Sequence, residues 1–299
     1  FVRRNSNGPV ESRDLSFNNF SGTIGAIVRF NDNLSLRSNL GTAWRPPSVS
    51  ELFSSGLHHG SANFELGNEN LLTEQAYKWI NTLTYQTKKL NVELSGYYNQ
   101  IQNYIYLAPV APFSTLTIRG EFPLYQYLQT NAVIMGVDAA VQYKLTKQLT
   151  FDSKVSIVRG RDRSFNNHLI LMPADNLTNT LTYQLGNVGT LQKVFFSVSG
   201  RHVAKQRLLP TNEEPFEGTT SGVPGDDQLT YNELIQSPEG YSVWNFQIGF
   251  TLPIHRQSLK VSVGVDNAFN AAYRDYLNRF RFFADDLGRS FTLRLKYAF

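Results

Sequence analysis

Two adjacent histidines, His58 and His59, are followed a few residues later by the carboxylate of Glu65. Neutral imidazoles and a carboxylate are ligands that suit zinc, iron or haem iron. Adjacent residues of an extended segment point in opposite directions, so both histidines reach one ion only if the backbone turns between them. We therefore take His58, His59 and Glu65 as candidate metal ligands. The alternative is a pair of loop histidines that are solvated or hydrogen-bonded to neighbouring loops.

A second group of candidates is basic. It comprises Arg159, Arg161, Arg163 and His168 in one stretch and Arg201, His202 and Arg207 in another. Positive charges of this kind attract an anionic ligand. They would equally well contact phosphate groups at a membrane surface, and the sequence does not decide between the two.

The remaining candidates carry weaker signals. The carboxylates Glu213, Glu214, Glu217, Asp226 and Asp227 could bind calcium, but their spacing does not match an EF-hand, and a solvated loop is the favoured interpretation. His255 falls in a predicted tight turn, where we expect no contact with a ligand. The sequence has no Gly-x-Ser-x-Gly elbow, phosphate-binding loop or HExxH motif, and no nucleophile is paired with a base at a readable spacing. We therefore expect that the chain is not an enzyme.

The composition restricts the kind of protein that presents these residues. The chain has 299 residues with no Cys, 21 Phe and 15 Tyr, and its mean hydropathy is only −0.30. A chain this aromatic and this polar fits a wall with lipid on one side and water on the other, since only alternate residues need be apolar. No apolar run approaches the roughly 18 to 20 residues of a transmembrane helix. The net charge of +4 is spread along the chain, so no nucleic-acid partner is expected.

Two-residue periodicity runs through most of the sequence and predicts an all-β protein. In the last stretch, Phe291, Leu293 and Leu295 alternate with Thr292 and Arg294, which indicates a strand with one apolar and one polar face. About eleven such strands are predicted, at 18–30, 34–44, 74–87, 90–107, 122–145, 149–158, 172–185, 191–205, 241–252, 258–265 and 289–299. Short turns alternate strictly with the long connections 45–73, 108–121, 159–171 and 206–240. This alternation is typical of transmembrane antiparallel β-barrels of bacterial outer membranes, which have short periplasmic turns and long outer loops.

An odd number of strands cannot close a single-chain bacterial barrel, and an open edge in lipid leaves backbone groups unpaired. We therefore expect residues 16–299 to form the C-terminal half of a 22-stranded barrel, with residues 1–15 as a loop or the start of the fragment. The chain begins without a signal peptide, so we expect a mature piece of a longer protein.

Three stretches resemble the TonB-dependent outer-membrane receptors of Gram-negative bacteria. They are TAWRPPSVSELF at 42–53, GNENLLTE at 67–74, and the segment 263–299 with VGVDNAFNAAYRDYLNRF near its start and LGRSFTLRLKYAF at its end. The resemblance implies a 22-stranded barrel around an N-terminal plug, which imports scarce solutes with energy delivered through TonB. The plug and the segment that contacts TonB are not in this sequence.

The resemblance implies active import of a scarce metal complex across the outer membrane, and a ferric siderophore is the favoured ligand. Alternatives are a haem or zinc receptor that uses His58 or His59, since some such receptors carry a histidine between the first two boxes, and an importer of oligosaccharides or peptides with a surface lipoprotein. No resident cofactor is firmly implied, and a transported iron complex, haem or zinc is the expected cargo. Expected partners are TonB, the plug and N-terminal half of the barrel, and outer-membrane lipid. For the basic residues, lipopolysaccharide is the alternative partner to a siderophore.

Overall fold

Strands dominate the computed structural model, which describes residues 2–4, 10–12, 16–211, 231–254 and 257–298. In chain order the strands are β1 (Val2–Arg4), β2 (Val10–Ser12), β3 (Gly22–Arg29), β4 (Leu34–Arg45), β5 (Ser55–His58), β6 (Asn63–Leu66), β7 (Glu74–Gln86), β8 (Leu90–Thr117), β9 (Gly120–Lys144), β10 (Leu149–Asp162), β11 (Asn167–His168), β12 (Asn176–Val188), β13 (Leu191–Val203), β14 (Tyr241–Ile254), β15 (Gln257–Asp266) and β16 (Ser290–Ala298). The helical segments are α1 (Val49–Phe53), α2 (Tyr231–Ile235) and the 3₁₀ helix Arg279–Phe282. No helix among the described residues is long and apolar enough to span a bilayer.

Eleven of these strands form one antiparallel meander. Their order in the sheet is β16-β15-β14-β13-β12-β10-β9-β8-β7-β4-β3, so each strand pairs with its neighbours along the chain. The predicted eleven-stranded wall is therefore confirmed. Three short strands lie outside this meander. Strand β11 pairs with β10, and the β5–β6 hairpin pairs with β9 through β6. Strands β1 and β2 pair only with each other in the described part of the chain.

The register gives the wall two chemically different faces. One row of partners across five strands is apolar and consists of Leu181, Val198, Phe246, Val265 and Phe291. The neighbouring row on the opposite face is small or polar and consists of Thr182, Ser197, Gln247, Gly264 and Thr292. An apolar face toward lipid and a polar face toward the lumen is the pattern of a transmembrane barrel. We call these the outward and inward faces.

The connections alternate in length, as the sequence predicts, but one predicted loop is wrong. Residues 108–121 are not an irregular loop, because β8 continues to Thr117 and β9 begins at Gly120. The pairing of β8 with β7 reaches only Gln102, so the rest of the hairpin projects beyond its neighbours. A register shift between Pro109 and Ser114 accommodates Pro109 and Pro112, which lack the N–H that a regular ladder uses. One rim of the sheet therefore carries a tall β-hairpin formed by β8 and β9.

The sheet is open within the described residues, since it ends at β3 on one side and β16 on the other. Both edge strands therefore have a row of backbone groups without a partner strand in this part of the chain. This agrees with the expectation of a half barrel.

Candidate functional site

Several long connections fold toward one another at the rim of the sheet. Strand β6, from the connection between β4 and β7, pairs in parallel with β9. The side-chain amide of Gln206, after β13, donates to the carbonyl of Met172, before β12, at 2.9 Å. Arg281, after β15, donates to the carbonyl of Leu234 in α2 at 2.8 Å. The connections thus form one assembly, which we call the mouth.

The ends of the first long connection are held by Arg45. Its guanidinium lies 2.9 Å from Glu51 and 3.1 Å from Glu74, which begins β7. Glu51 also accepts from the backbone N–H of Ser48 at 2.6 Å, and the Ser48 hydroxyl oxygen accepts from the backbone N–H of Glu51 at 3.2 Å. These two bonds form a capping box at the start of α1. Burial alone would raise the pKa of Glu51, but the bonds from Arg45 and Ser48 outweigh it, and the pKa lies below the usual 4.5. The stretches 42–53 and 67–74 are therefore joined by the ion pair between Arg45 and Glu74.

Gly67 shows why the second box begins with glycine. A Cβ at this position would lie 2.5 Å from the backbone of Leu52 and Phe53, so any larger residue would force α1 away. The N–H of Gly67 donates to Ser54 and that of Asn68 to Glu51, at 2.6 and 2.8 Å. These two hydrogen bonds hold the short helix α1 against residues 67 and 68 at the rim of the sheet.

The last long connection, between β15 and β16, is held by its own carboxylates. Asp286 accepts from the backbone N–H of Asp275 at 2.7 Å and from the Asn278 side chain at 2.9 Å. Arg274 pairs with Asp285 at 2.7 Å and donates to the carbonyl of Arg281 at 2.8 Å. These bonds fix the 3₁₀ helix that carries Arg279 and Arg281.

Glu65 links the first long connection to the last. The residue is 6% exposed, and its carboxylate accepts from the Tyr127 hydroxyl of β9 at 3.0 Å and from Arg279 at 3.4 Å. Tyr127 lies in the projecting part of β9, and burial together with the Glu65 charge raises its pKa to about 12. Carboxylate, phenol and guanidinium therefore form one hydrogen-bonded chain across the mouth.

Beside this chain lies a narrow opening that we call the crevice. One wall comes from the turn and second strand of the β5–β6 hairpin, and the other from the 3₁₀ helix. The residues that line it are Ser61, Ala62, Asn63, Pro123, Tyr125, Leu171, Arg279, Arg281, Phe282 and Phe283. Guanidinium groups, an amide and aromatic rings line this recess, and its free volume of about 10 Å³ has room for a single water-sized group.

The residues predicted as metal ligands have different partners. Both histidines are exposed, but the Nδ1 of His58 is 2.9 Å from the Ser61 hydroxyl, whereas the Nε2 of His59 is 3.0 Å from Arg119. Glu65 is bound to Tyr127 and Arg279 instead. Among the described residues, no group of three or more His, Cys, Asp or Glu side chains could hold a metal ion. The three predicted ligands are therefore not gathered into one centre, and a role for either histidine alone stays a prediction.

The predicted basic residues are divided between the two faces of the wall. Arg161 and its partner His168 belong to the outward face, as does His202, whose Nδ1 is 2.8 Å from Ser242. Arg201 belongs to the inward face and lies 3.9 Å from Asp275, while Arg163 is exposed on the turn after β10. Burial and the nearby Arg161 lower the pKa of His168 below 6.5. These residues do not form a single anion-binding cluster, and their contact with lipopolysaccharide or with an anionic ligand stays a prediction.

Sequence reasoning missed Arg279, Arg281 and Asn63. The arginines stand in the stretch YRDYLNRFRF, which the sequence assigns to a longer connection without any role. An excess of arginine and aromatic residues is the signal there, but only the fold brings this stretch to β6. The carboxylates between 213 and 227, for which a solvated loop was favoured over a calcium site, and His255 lie outside the described residues.

Comparison with known proteins agrees with this architecture. Residues 1–268 match the family model described as TonB dependent receptor-like, beta-barrel. The curated protein Heme/hemopexin utilization protein C of Haemophilus influenzae is 25% identical over 193 residues, which covers 56% of this chain and 26% of that protein.

Solved structures show the same fold at low identity. The structure named copper transporter OprC superposes with a TM-score of 0.70 at 23% identity, over 93% of this chain and 39% of the other. The siderophore receptor PirA from Acinetobacter baumannii gives 0.66 at 17% identity, over 94% of this chain and 41% of the other. The chain thus spans about two fifths of the length of these structures.

Proposed function

The chain belongs to the TonB-dependent receptor β-barrel family, which is located in the Gram-negative outer membrane, and on this premise we propose that it forms part of an active importer of a metal complex. Members of this family are receptors and transporters rather than enzymes, and they interact with TonB. The mechanism is capture by the mouth and movement through the lumen after rearrangement of a plug, with no covalent chemistry.

A ferric siderophore is the cargo that we favour. The observation that carries this choice is that Arg279, Arg281 and the ring of Tyr125 lie together at the crevice. Guanidinium groups beside aromatic rings suit a chelate with negatively charged oxygens and flat ligand arms. Similarity to structures named siderophore receptors is consistent with this choice.

Haem or zinc is the second candidate. His59 is exposed at the mouth, and a curated relative is named as a heme/hemopexin utilization protein. An imidazole in that position can ligate haem iron or zinc once it leaves Arg119. Import of oligosaccharides or peptides is the third prediction, and a lipoprotein that copurifies with the receptor would distinguish it.

Uptake by whole cells tests the proposal. The full-length receptor is expressed in a bacterium that lacks its own iron receptors, with and without functional TonB, and accumulation of radiolabelled iron is measured for a panel of ferric siderophores and haem. We expect accumulation from at least one ferric siderophore that disappears without TonB. Changing His58 and His59 to Ala should leave that uptake nearly intact, whereas the same change abolishes haem or zinc use if the second candidate is right. TonB-independent accumulation, or none from any complex, contradicts import.

A further inference from the structure

Arg281 is a cation that is only 4% exposed and has no carboxylate partner in the part of the chain that the structure describes. Its terminal nitrogens donate to the backbone carbonyls of Leu234 at 2.8 Å and Asn278 at 3.4 Å, and its Nε has no hydrogen-bond partner there. The guanidinium lies over the rings of Phe282 and Tyr276, at 4.2 and 5.1 Å from their centroids. Aromatic rings attract a cation but carry no net charge, so the buried positive charge is not neutralised by them.

The carboxylates near Arg281 are bound elsewhere. Glu65 lies beside the crevice and pairs with Arg279 at 3.4 Å. Asp275 is the other carboxylate that acts on Arg281, and it accepts a hydrogen bond from the Tyr241 hydroxyl at 2.5 Å. Because the charges of Glu65 and Arg279 cancel, the crevice keeps the positive charge of Arg281. Burying a charge is unfavourable unless an opposite charge compensates it.

A second unpaired donor lines the same crevice. Asn63, in β6, is 3% exposed, and its Oδ1 is hydrogen-bonded to the Ser61 hydroxyl. Its Nδ2 has no partner among the described residues. Asn63 belongs to the first long connection and Arg281 to the last, and both line the crevice. Buried polar groups are paired in nearly all folded proteins, so two unpaired donors in one recess indicate a common acceptor.

The size of the crevice restricts that acceptor to a single small group. The free volume of about 10 Å³ is close to what one water molecule needs. A chloride ion is only slightly larger than a water molecule, carries one negative charge, and accepts hydrogen bonds from several N–H groups at once. A water molecule also accepts two hydrogen bonds, but it leaves the charge of the arginine uncompensated. Size and charge together therefore favour a halide ion.

We propose that the crevice is a structural halide site, in which chloride accepts hydrogen bonds from the Arg281 Nε and the Asn63 Nδ2. The ion neutralises the buried charge, satisfies both unpaired donors and ties the β5–β6 hairpin to the 3₁₀ helix. It is a component of the mouth and not cargo. The inference therefore goes beyond the proposed function and holds whichever complex is imported.

Bromide tests the site directly, because it replaces chloride and scatters X-rays anomalously. Crystals of the full-length receptor are grown with bromide in place of chloride, and an anomalous difference map is calculated. We expect a peak within hydrogen-bond distance of the Asn63 Nδ2 and the Arg281 Nε. Arg281→Met should remove this peak, whereas Arg289→Met, which removes an exposed arginine of the same connection, should leave it. An acceptor in the crevice without an anomalous signal, such as water, overturns the proposal.

Hydrogen exchange tests whether the ion holds the two connections together. Exchange in residues 55–66 and 276–283 of the full-length receptor is compared in chloride and in gluconate, which is too large for the crevice, at equal ionic strength. We expect exchange to be about tenfold faster in gluconate, as loss of hydrogen bonds to a charged group predicts. Exchange in β10 should be the same in both salts, which shows that the wall is intact. Equal exchange of the two segments in both salts overturns the structural role of the halide.

Two substitutions of Asn63 separate a halide from a merely structural contact. Asn63→Asp places a carboxylate beside Arg281, so the two segments should exchange slowly in both salts. Asn63→Leu removes the amide donor and supplies no charge, so the difference between the salts should shrink. If Asn63→Asp still needs chloride to slow exchange, the proposed charge compensation is wrong. TonB-dependent uptake is measured separately, so that failure of the halide site and failure of import are distinguishable.

Discussion

Arg45 shows how one side chain can organise a connection of nearly thirty residues. Its two ion-pair partners stand at the start and at the end of that connection, so it closes the loop at its base. The sequence indicates the two boxes as special but not their contact, because ionic partners cannot be read from spacing across an irregular segment. The structure supplies the reason that arginine and glutamate occur there.

Changing Arg45 to Met should loosen the first long connection and leave the wall intact. Arg45 is 42% exposed on its side chain, so we expect a cost of about 1–2 kcal/mol rather than the larger cost of a fully buried pair. The measurement is hydrogen exchange in residues 46–73, which should become about tenfold faster. Arg37→Met on the same strand is the control, since Arg37 forms no ion pair among the described residues. Equal effects of both variants would contradict the anchor.

The same anchor should respond to acid. The pKa of Glu51 is lowered in the fold, so its contribution to stability is complete above the usual pKa of 4.5 and is lost as the pH falls through the lower folded-state value. The protection factors of residues 46–73 in the wild type, that is, their exchange relative to the intrinsic rate at the same pH, should therefore fall in that acidic range. In Arg45→Met this fall should be smaller, because the main bond that lowers the pKa of Glu51 is gone.

Strands were the most predictable elements, and the reason is local. Each wall strand has one face toward lipid and one toward water, so its residues alternate between apolar and polar. This alternation makes the eleven wall strands predictable from the sequence. The outer part of the β8–β9 hairpin was not predictable in this way. Pro109 and Pro112 lack the N–H that a ladder uses and are therefore more typical of a loop. The partner strand tolerates them through a register shift, which no local pattern reveals.

Strand β16 allows a test of the two faces with neighbouring residues. Leu293 is on the outward face and Thr292 on the inward face. Leu293→Arg should destabilise the folded barrel in lipid vesicles by about 2–4 kcal/mol, because an arginine is placed in the hydrocarbon layer. Thr292→Arg should change the stability little, since its side chain meets water. Urea titration of the full-length receptor in vesicles measures both, and the opposite order would reverse the assignment of faces.

On the scale of the whole molecule, the open sheet is the dominant fact. The edges at β3 and β16 leave backbone groups unpaired in the described residues, and each such group costs several kcal/mol in hydrocarbon.

The candidate site could not be predicted from the sequence, since Glu65 and Arg279 are 214 positions apart and meet only in the folded wall. Contacts between distant connections depend on the global fold rather than on local sequence.

The intact receptor should therefore protect both edges. We expect the N–H groups of β16 that point away from β15 to exchange as slowly as those between β14 and β15 in the full-length protein. Hydrogen exchange of the receptor in detergent measures this. Exchange at these edge positions as fast as in exposed turns would show that the strands do not close against others.

The contact between Glu65 and Arg279 also has a consequence for biogenesis. A polypeptide is made from its N-terminus, so Glu65 emerges from the ribosome long before its arginine partner. The contact between Glu65 and Arg279 at the mouth can therefore form only after nearly the entire wall has been synthesised. We expect a receptor truncated after β15 to expose an unneutralised carboxylate and unshielded aromatic rings, which periplasmic chaperones and proteases can recognise.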